Sequence, residues 1–275
     1  MHNNYFNKKR YDLNDLLSIM ELLRSPEGCP WDLKQNHESI RKNFIEETYE
    51  VIEAIDNKDT ALLKEELGDV LLQVVFHAQI EKELGNFDFS DVANDICKKL
   101  IERHPHIFSD TIVNSSEQVL KNWDEIKKHK KNQTSQSEVI DSIPRVLPAL
   151  MRSYKVQQKA AKVGFDWDDI SGALLKLSEE IEELKEAVSK NKNINIQDEL
   201  GDVLFSVVNV SRFLNLDPEE ALTFSCDKFI KRFKIVEDLS LKKNLNLKEL
   251  SLEELDKLWE EAKLLISSGD FTCEV

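Results

Sequence analysis

Two stretches of the chain are apolar on nearly every side of a helix. Asp69 is followed by Val70, Leu71, Leu72, Val74, Val75 and Phe76, and Asp202 by Val203, Leu204, Phe205, Val207, Val208 and Val210. Helices of this kind belong inside a fold. The first is expected over about residues 60–84, with Asn57-Lys58-Asp59 turning the chain into it. An acidic helix comes before it, over about 39–55, with Ile45, Ile52 and Ile55 inward. In the second half Leu174, Leu177, Ile181, Leu184 and Val188 form an apolar stripe opposite the glutamates.

Helix starts and stops fill in the rest. An amphipathic helix over 13–23 ends at Ser25-Pro26-Glu27-Gly28. Ser90 can cap a helix that turns Val92, Ile96 and Leu100 inward and stops at His104-Pro105-His106. Asp217-Pro218-Glu219-Glu220 is a strong start, and Ser115 with Gln118 and Ser251 with Glu254 fit the capping box. No run alternates as a strand would. The expected fold is all-α, as two tandem helical bundles: residues 1–128, a linker over 129–143 that is basic and then polar, and residues 144–275.

The tandem reading rests on a repeat. Glu46-Glu47-Thr48-Tyr49-Glu50 and Glu66-Leu67-Gly68-Asp69-Val70 recur as Glu179-Glu180-Ile181-Glu182-Glu183 and Glu199-Leu200-Gly201-Asp202-Val203, every position 133 residues on (66 to 199). Glu47 and Glu50 are three apart, as are Glu66 and Asp69, so each pair shares a helix face. Fifteen residues separate the pairs in both halves, enough for a helix to end, turn and return antiparallel. Four converging carboxylates repel unless a cation sits among them, and an all-oxygen site beside a phosphate suits Mg²⁺. A single acidic motif is usually a solvated helix face. Here the second pair sits at the mouth of a helix that reads as buried, where an isolated charge is costly, and this favours the metal.

Composition narrows the substrate. A net charge of −15 weighs against a partner held by counterion release, such as a nucleic-acid polymer, but not against a small nucleotide bound through metal. The start of the chain lacks a signal-peptide core and no run of eighteen apolar residues occurs, so a soluble cytoplasmic protein without a membrane partner is expected. Cys29, Cys97, Cys226 and Cys273 are scattered, which indicates neither zinc nor disulfides. Lys99 with Arg103 and Lys228 with Arg232 are each four apart on a helix, and Trp123-x-x-x-Lys127 and Trp259-x-x-x-Lys263 repeat in turn. Such cations could neutralise a polyphosphate, and the two Trp side chains read as core. Trp31 and Trp167 stand in G-x-x-W-D segments ahead of the acidic helices, where an indole could stack on a base or lid the bundle.

These motifs, with Lys99-Leu100-Ile101-Glu102-Arg103-His104-Pro105-His106, Val163-Gly164-Phe165-Asp166-Trp167 and Lys228-Phe229-x-x-Arg232-Phe233, resemble the MazG family across nearly the whole chain. The resemblance implies all-α nucleoside triphosphate pyrophosphohydrolases that cleave NTPs and dNTPs to monophosphate and pyrophosphate with Mg²⁺, assembled as homodimers or higher homo-oligomers. It implies that Glu180, Glu183, Glu199 and Asp202 hold metal, with Glu47, Glu50, Glu66 and Asp69 matching in the first half. It implies phosphate contacts from Lys228 and Arg232, further contacts from Trp259 and Lys263, and comparable places for Lys99, Arg103, Trp123 and Lys127. Glu180 is the carboxylate whose loss should end turnover at the second site. Glu46 or Glu179 could accept the proton of the attacking water, and the residues do not choose between them. Asn209 lies seven residues beyond Asp202 on one helix face and could reach a nucleotide, whereas Phe76 stands in its place in the first half. The alternatives are a dUTPase-like or phosphoribosyl-ATP-type pyrophosphohydrolase of narrower range, and a non-catalytic helical scaffold. A di-iron bundle is set aside, because no His sits three residues after a Glu.

Overall fold

The computed structural model describes residues 8–109, 115–130, 133–190 and 193–268. The chain divides into two compact units, 1–127 and 128–275. The helices, in chain order, are α1 (Leu13–Leu23), α2 (Pro30–Lys34), α3 (His37–Asp56), α4 (Thr60–Leu84), α5 (Phe89–Arg103), α6 (Pro105–Phe108) and α7 (Ser116–Lys130). They continue with α8 (Gln136–Asp141), α9 (Ala149–Ala161), α10 (Ile170–Ser189), α11 (Asn193–Phe213), α12 (Pro218–Lys242) and α13 (Leu252–Ser268). No strand occurs among the described residues, and none of their helices is long and apolar enough to cross a membrane.

Each unit is built on an antiparallel hairpin, α3 with α4 and α10 with α11. Asp59 caps α4 by accepting from the backbone N–H groups of Ala61 and Leu62, and Gly85 ends it in the left-handed region at φ 76°. Asp217 caps α12 in the same way, and the Ser251–Glu254 capping box opens α13. The helix over 89–103 is capped by Asp88 rather than Ser90; Asp88 accepts from Ser90 N and Asp91 N, and a carboxylate two residues earlier wins the position. Within the stretch read as linker, α8 starts at a Ser135–Glu138 capping box and packs on α9, where Gln136 Nε2 donates to the Lys159 carbonyl at 2.6 Å.

The hairpin seams hold the carboxylates, and the apolar stripes lie away from them. On α3 Ile40 and Ala54 are buried with Glu47 partly so between them; on α10 Ala173, Glu180 and Ala187 are buried. Seven-residue spacing keeps these on one face. Ile45, Ile52 and Ile55, expected inward, are about half exposed, as are Leu174 and Val188, Ile96 and Leu100, and Leu67, Leu71, Leu200 and Leu204 of the apolar helices. Periodicity marks a face as apolar, but the unit itself does not supply a cover for this one. The buried core lies elsewhere, at the far end of the first hairpin and, in the second unit, between α12 and α13. In the first unit it gathers Met20, Ile40, Val75, Phe76 and Ile80. In the second, Ile235, Val236, Leu239, Leu258 and Ala262 join α12 to α13.

The loop between α1 and α3 folds back so tightly that a Cβ at Gly28 would lie 2.1 Å from the Leu22 carbonyl oxygen. Arg24 fixes this loop. It is buried, donates to Glu83 through Nε at 2.9 Å and Nη2 at 2.7 Å, and donates to the carbonyls of Asp32 and Gln35 through Nη1. Burial works against ionisation of Glu83, yet its bonds from Arg24 and Gln79 hold the carboxyl below the usual range. Arg24→Ala strands the Glu83 carboxylate and leaves two carbonyls without a donor. The expected loss is about 3 kcal/mol, read as an earlier urea transition of the first unit against that of the second in the same chain.

Candidate functional site

Two carboxylate triads lie in the hairpin seams. Glu47, Glu66 and Asp69 offer oxygens within 4.8 Å of one another, and so do Glu180, Glu199 and Asp202. The seam explains the placement. Small neighbours one heptad away, Ala54 on α3 and Ala173 and Ala187 on α10, let the hairpin helices close on each other with a glutamate in the middle. Glu66 and Glu180 are each under a tenth exposed. Glu50 and Glu183, the fourth members of the two sets, stand outside the triads but beside them. Glu50 lies close enough to Glu47 and Glu66 to raise both carboxyls, and Glu180 does the same to Glu183.

The electrostatics are those of a crowded anionic site. Burial, then Asp69 and Glu50, raise the Glu47 carboxyl above its ordinary value; burial and Glu50 do the same for Glu66. Glu183 is raised by burial and then by Glu180. In the second unit Lys176 relieves part of this charge, bridging Glu179 and Glu180 at 2.8 Å each, and its own pKa is raised by the two carboxylates. The equivalent place in the first unit is Asn43. Glu46 and Glu179, the candidate bases, do not join the triads. They sit on the exposed flank, Glu46 paired with Lys42 at 2.9 Å and Glu179 with Lys176.

The donor set fits a hard divalent cation. It is all oxygen, it repeats at equivalent positions, and the oxygens of each triad lie within 4.8 Å of one another. No His or Cys joins either triad.

The cationic residues form a second kind of cluster. The Arg232 guanidinium lies 5.7 Å from the centre of the Trp259 ring, which also packs on Phe229, and Arg232 Nε is buried with no hydrogen-bond partner among the described residues. In the first unit Arg103 lies 5.2 Å from the centre of the Trp123 ring, beside His104. Trp123 is therefore not core as expected but over a third exposed, while Trp259 packs against the α12–α13 core. Lys99 and Lys228 are exposed, and Lys263 pairs with Glu260. The Lys127 side chain and Cys273 lie outside the described residues. No hydrogen bond or ion pair among the described residues joins Lys228, Arg232 or Lys263 to the carboxylates. The Trp167 ring lies on α10 so closely that a Cβ at Gly172 would come 2.3 Å from it, yet the residue is 42% exposed.

Sequence reasoning missed the polar pairs made across distance. In the first unit His37 and His77 stack with Nδ1 atoms 2.6 Å apart, and His37 Nε2 lies 2.6 Å from Glu81. Burial and then His37 lower the His77 pKa. Ile170 and Val210 stand at these places in the second unit. There, Arg212 of α11 reaches back to Asp166, and only its position three residues after Asn209 could have drawn notice.

The MazG nucleotide pyrophosphohydrolase domain is matched twice, over residues 35–108 and 170–236. The chain belongs to the MazG family. The MazG segments contain both carboxylate sets with Lys99, Arg103, Asn209, Lys228 and Arg232, and leave Trp123, Trp167, Trp259 and Lys263 outside. The nucleoside triphosphate pyrophosphohydrolase/pyrophosphatase MazG of Thermotoga maritima is 51% identical over 249 residues, 90% of this chain and 94% of its own. The nucleoside triphosphate pyrophosphohydrolase of Escherichia coli K12 is 42% identical over 256 residues, 91% of this chain and 97% of its own. The uncharacterized protein YabN of Bacillus subtilis is 49% identical over 92% of this chain, which spans 52% of YabN.

Raised carboxyls carry a definite sign. Below the ordinary value of 4.5 both folded and unfolded chains are protonated there, and the site costs nothing. As pH rises through the raised folded values, ionisation costs stability, and the cost is complete near neutrality. In chelator, Glu66→Gln therefore melts like the unaltered chain at pH 4 and higher than it at pH 7. Equal melting temperatures at both pH values in calorimetry would count against mutual repulsion in the seam.

Proposed function

We propose that this MazG-family chain hydrolyses nucleoside triphosphates, both NTP and dNTP, between the α- and β-phosphates, releasing nucleoside monophosphate and pyrophosphate. One observation carries the reading: two buried-edge carboxylate triads at equivalent positions of a repeat, in a family whose curated relatives are named for this activity. On this reading Glu180, Glu183, Glu199 and Asp202 hold Mg²⁺ in the second unit, and Glu47, Glu50, Glu66 and Asp69 in the first. Mg²⁺ supplies positive charge to the phosphate oxygens and eases deprotonation of the attacking water.

The remaining work falls to the chain. The seam fixes the carboxylates before substrate arrives, so little reorganisation is needed at the moment of reaction. Arg232, seated beside Trp259, supplies positive charge for the phosphate oxygens, and Lys228 and Lys263 add charge for the departing pyrophosphate. Lys263 must leave Glu260 to do so. Glu179 and Glu46 are solvent-side acceptors for a proton, each currently shared with a lysine. Lys99, Arg103, Trp123 and Lys127 serve the first unit in the same sense.

The exposed apolar faces of α3, α4, α10 and α11 support assembly as a homodimer or larger homo-oligomer, in which a second copy covers Ile45, Ile52, Leu67, Leu200 and Leu204. The setting on this reading is the cytoplasm.

Each NTP and dNTP is to be incubated with the full chain, with Mg²⁺ and with chelator, and the products separated by chromatography. The expected products are monophosphate and pyrophosphate, absent in chelator. Glu180→Gln combined with Glu47→Gln brings turnover down to the chelated level while leaving the helical circular dichroism intact. Diphosphate and inorganic phosphate as products would overturn the assigned bond.

A further inference from the structure

In the second unit a chain of hydrogen bonds runs from the loop ahead of α10 to the nucleotide side of α11. Arg212 donates to both oxygens of Asp166, through Nη1 at 2.8 Å and Nη2 at 2.5 Å. Its Nε donates to Asn209 Oδ1 at 3.0 Å. Its guanidinium also lies 4.5 Å from the centre of the Phe213 ring. The arrangement is well covered, with the Arg212 side chain 13% exposed and Asn209 8%.

The consequence for Asn209 follows from donor chemistry. A guanidinium can only donate, so the amide must turn its oxygen to Arg212 and its NH₂ the other way. No described residue accepts from Nδ2. That atom is not one of the fully buried side-chain atoms that lack a partner, so it keeps some contact with solvent. Asn209 lies seven residues past Asp202, two helical turns along the same face and about 10 Å along the axis. From phosphates held at the Glu180, Glu199 and Asp202 carboxylates, that is the direction and scale of a nucleoside.

We propose that Arg212, clamped by Asp166, is a positioning residue that locks the Asn209 amide with its NH₂ toward the base of a nucleotide seated on the second carboxylate set. The proposal rests on the pyrophosphohydrolase reading above and deepens it. Every nucleobase carries ring-nitrogen or carbonyl acceptors. A donor that cannot flip therefore selects for the presence of a base more than for its identity, and the substrate class is nucleoside triphosphates at large. The first unit has no such device. Phe76 takes the place of Asn209, it is buried in the core, and the Arg24 guanidinium covers it at 5.1 Å from the ring centre.

The test compares ATP with ribose 5-triphosphate, which keeps the α–β anhydride and lacks the base. The full chain is used, carrying Glu47→Gln and Glu66→Gln to silence the first carboxylate set. Two variants are added to it. Arg212→Gln frees the amide to flip. Asn209→Asp keeps an acceptor for Arg212 and removes the donor, so the clamp on Asp166 stays in place. Both are expected to lower the ratio of kcat/KM for ATP over kcat/KM for ribose 5-triphosphate by about tenfold, the effect of one hydrogen bond lost. For ATP the loss should fall in KM rather than kcat, and Arg212→Lys should restore part of it. A ratio that stays constant while both substrates decline together would make Arg212 merely structural and overturn the proposal. If the parent hydrolyses ribose 5-triphosphate as well as ATP, no base grip exists and the proposal fails while the activity stands. If it hydrolyses neither, the activity itself fails and takes the proposal with it.

Discussion

Like charges held together in a narrow seam govern this structure. A helix hairpin normally closes on apolar side chains. Here the middle of each closure is a glutamate, flanked along α3 by Ile40 and Ala54 and along α10 by Ala173 and Ala187. The flanking residues bring the backbones close enough to hold Glu47 or Glu180 against the carboxylates of the returning helix. Burial and mutual repulsion raise carboxyls in both sets, so the hairpin stores unfavourable electrostatics that a divalent cation would discharge. The core lies elsewhere, at the far end of the first hairpin and between α12 and α13, and supplies the stability that the seam withholds.

The two units spend this arrangement differently. In the second, Lys176 sits on Glu180, Arg212 fixes Asn209, and polar groups continue up α11 from the carboxylates. In the first, the same helix face turns apolar at Phe76, and the polar contacts move to its flank as the His37–His77–Glu81 group. Ring nitrogens 2.6 Å apart need a proton between them, so one histidine donates and the other accepts. The burial that lowers His77 agrees with a pair that carries fewer charges than it has rings.

Much of this was legible in the sequence, and what was not shares one cause. The repeat, the limits of α4, the caps at Asp217 and Ser251 and the convergence of Glu47, Glu66 and Asp69 all follow from spacing, because a helix converts spacing directly into geometry. Contacts between distant segments have no such rule. Arg24 with Glu83 spans 59 residues, Arg212 with Asp166 spans 46, and His37 with His77 spans 40. Nor does an apolar stripe say what covers it: Ile45 and Ile52 were read as inward and lie open. Asp88 displaced Ser90 as a cap because two good cap residues stood only two positions apart. Which carboxylate takes a proton from water is equally silent in the sequence, since Glu46 and Glu179 differ from their neighbours only in which lysine they face.

The seven-residue spacing of the seam also limits how the chain can change length. Each residue added to a helix rotates everything beyond it by about 100°. One insertion between Glu66 and Ile80 would swing the inner half of α4 out of register with Ile40, and one between Glu47 and Glu66 would have to be absorbed wholly by the three-residue turn at 57–59. The two copies keep the same fifteen-residue interval between their carboxylate pairs, while the approach to α3 is longer than the approach to α10 and carries an extra helix, α2. Drift in length is thereby confined to the segments outside the hairpin, and the carboxylate frame works as a ruler that its two copies have had to share.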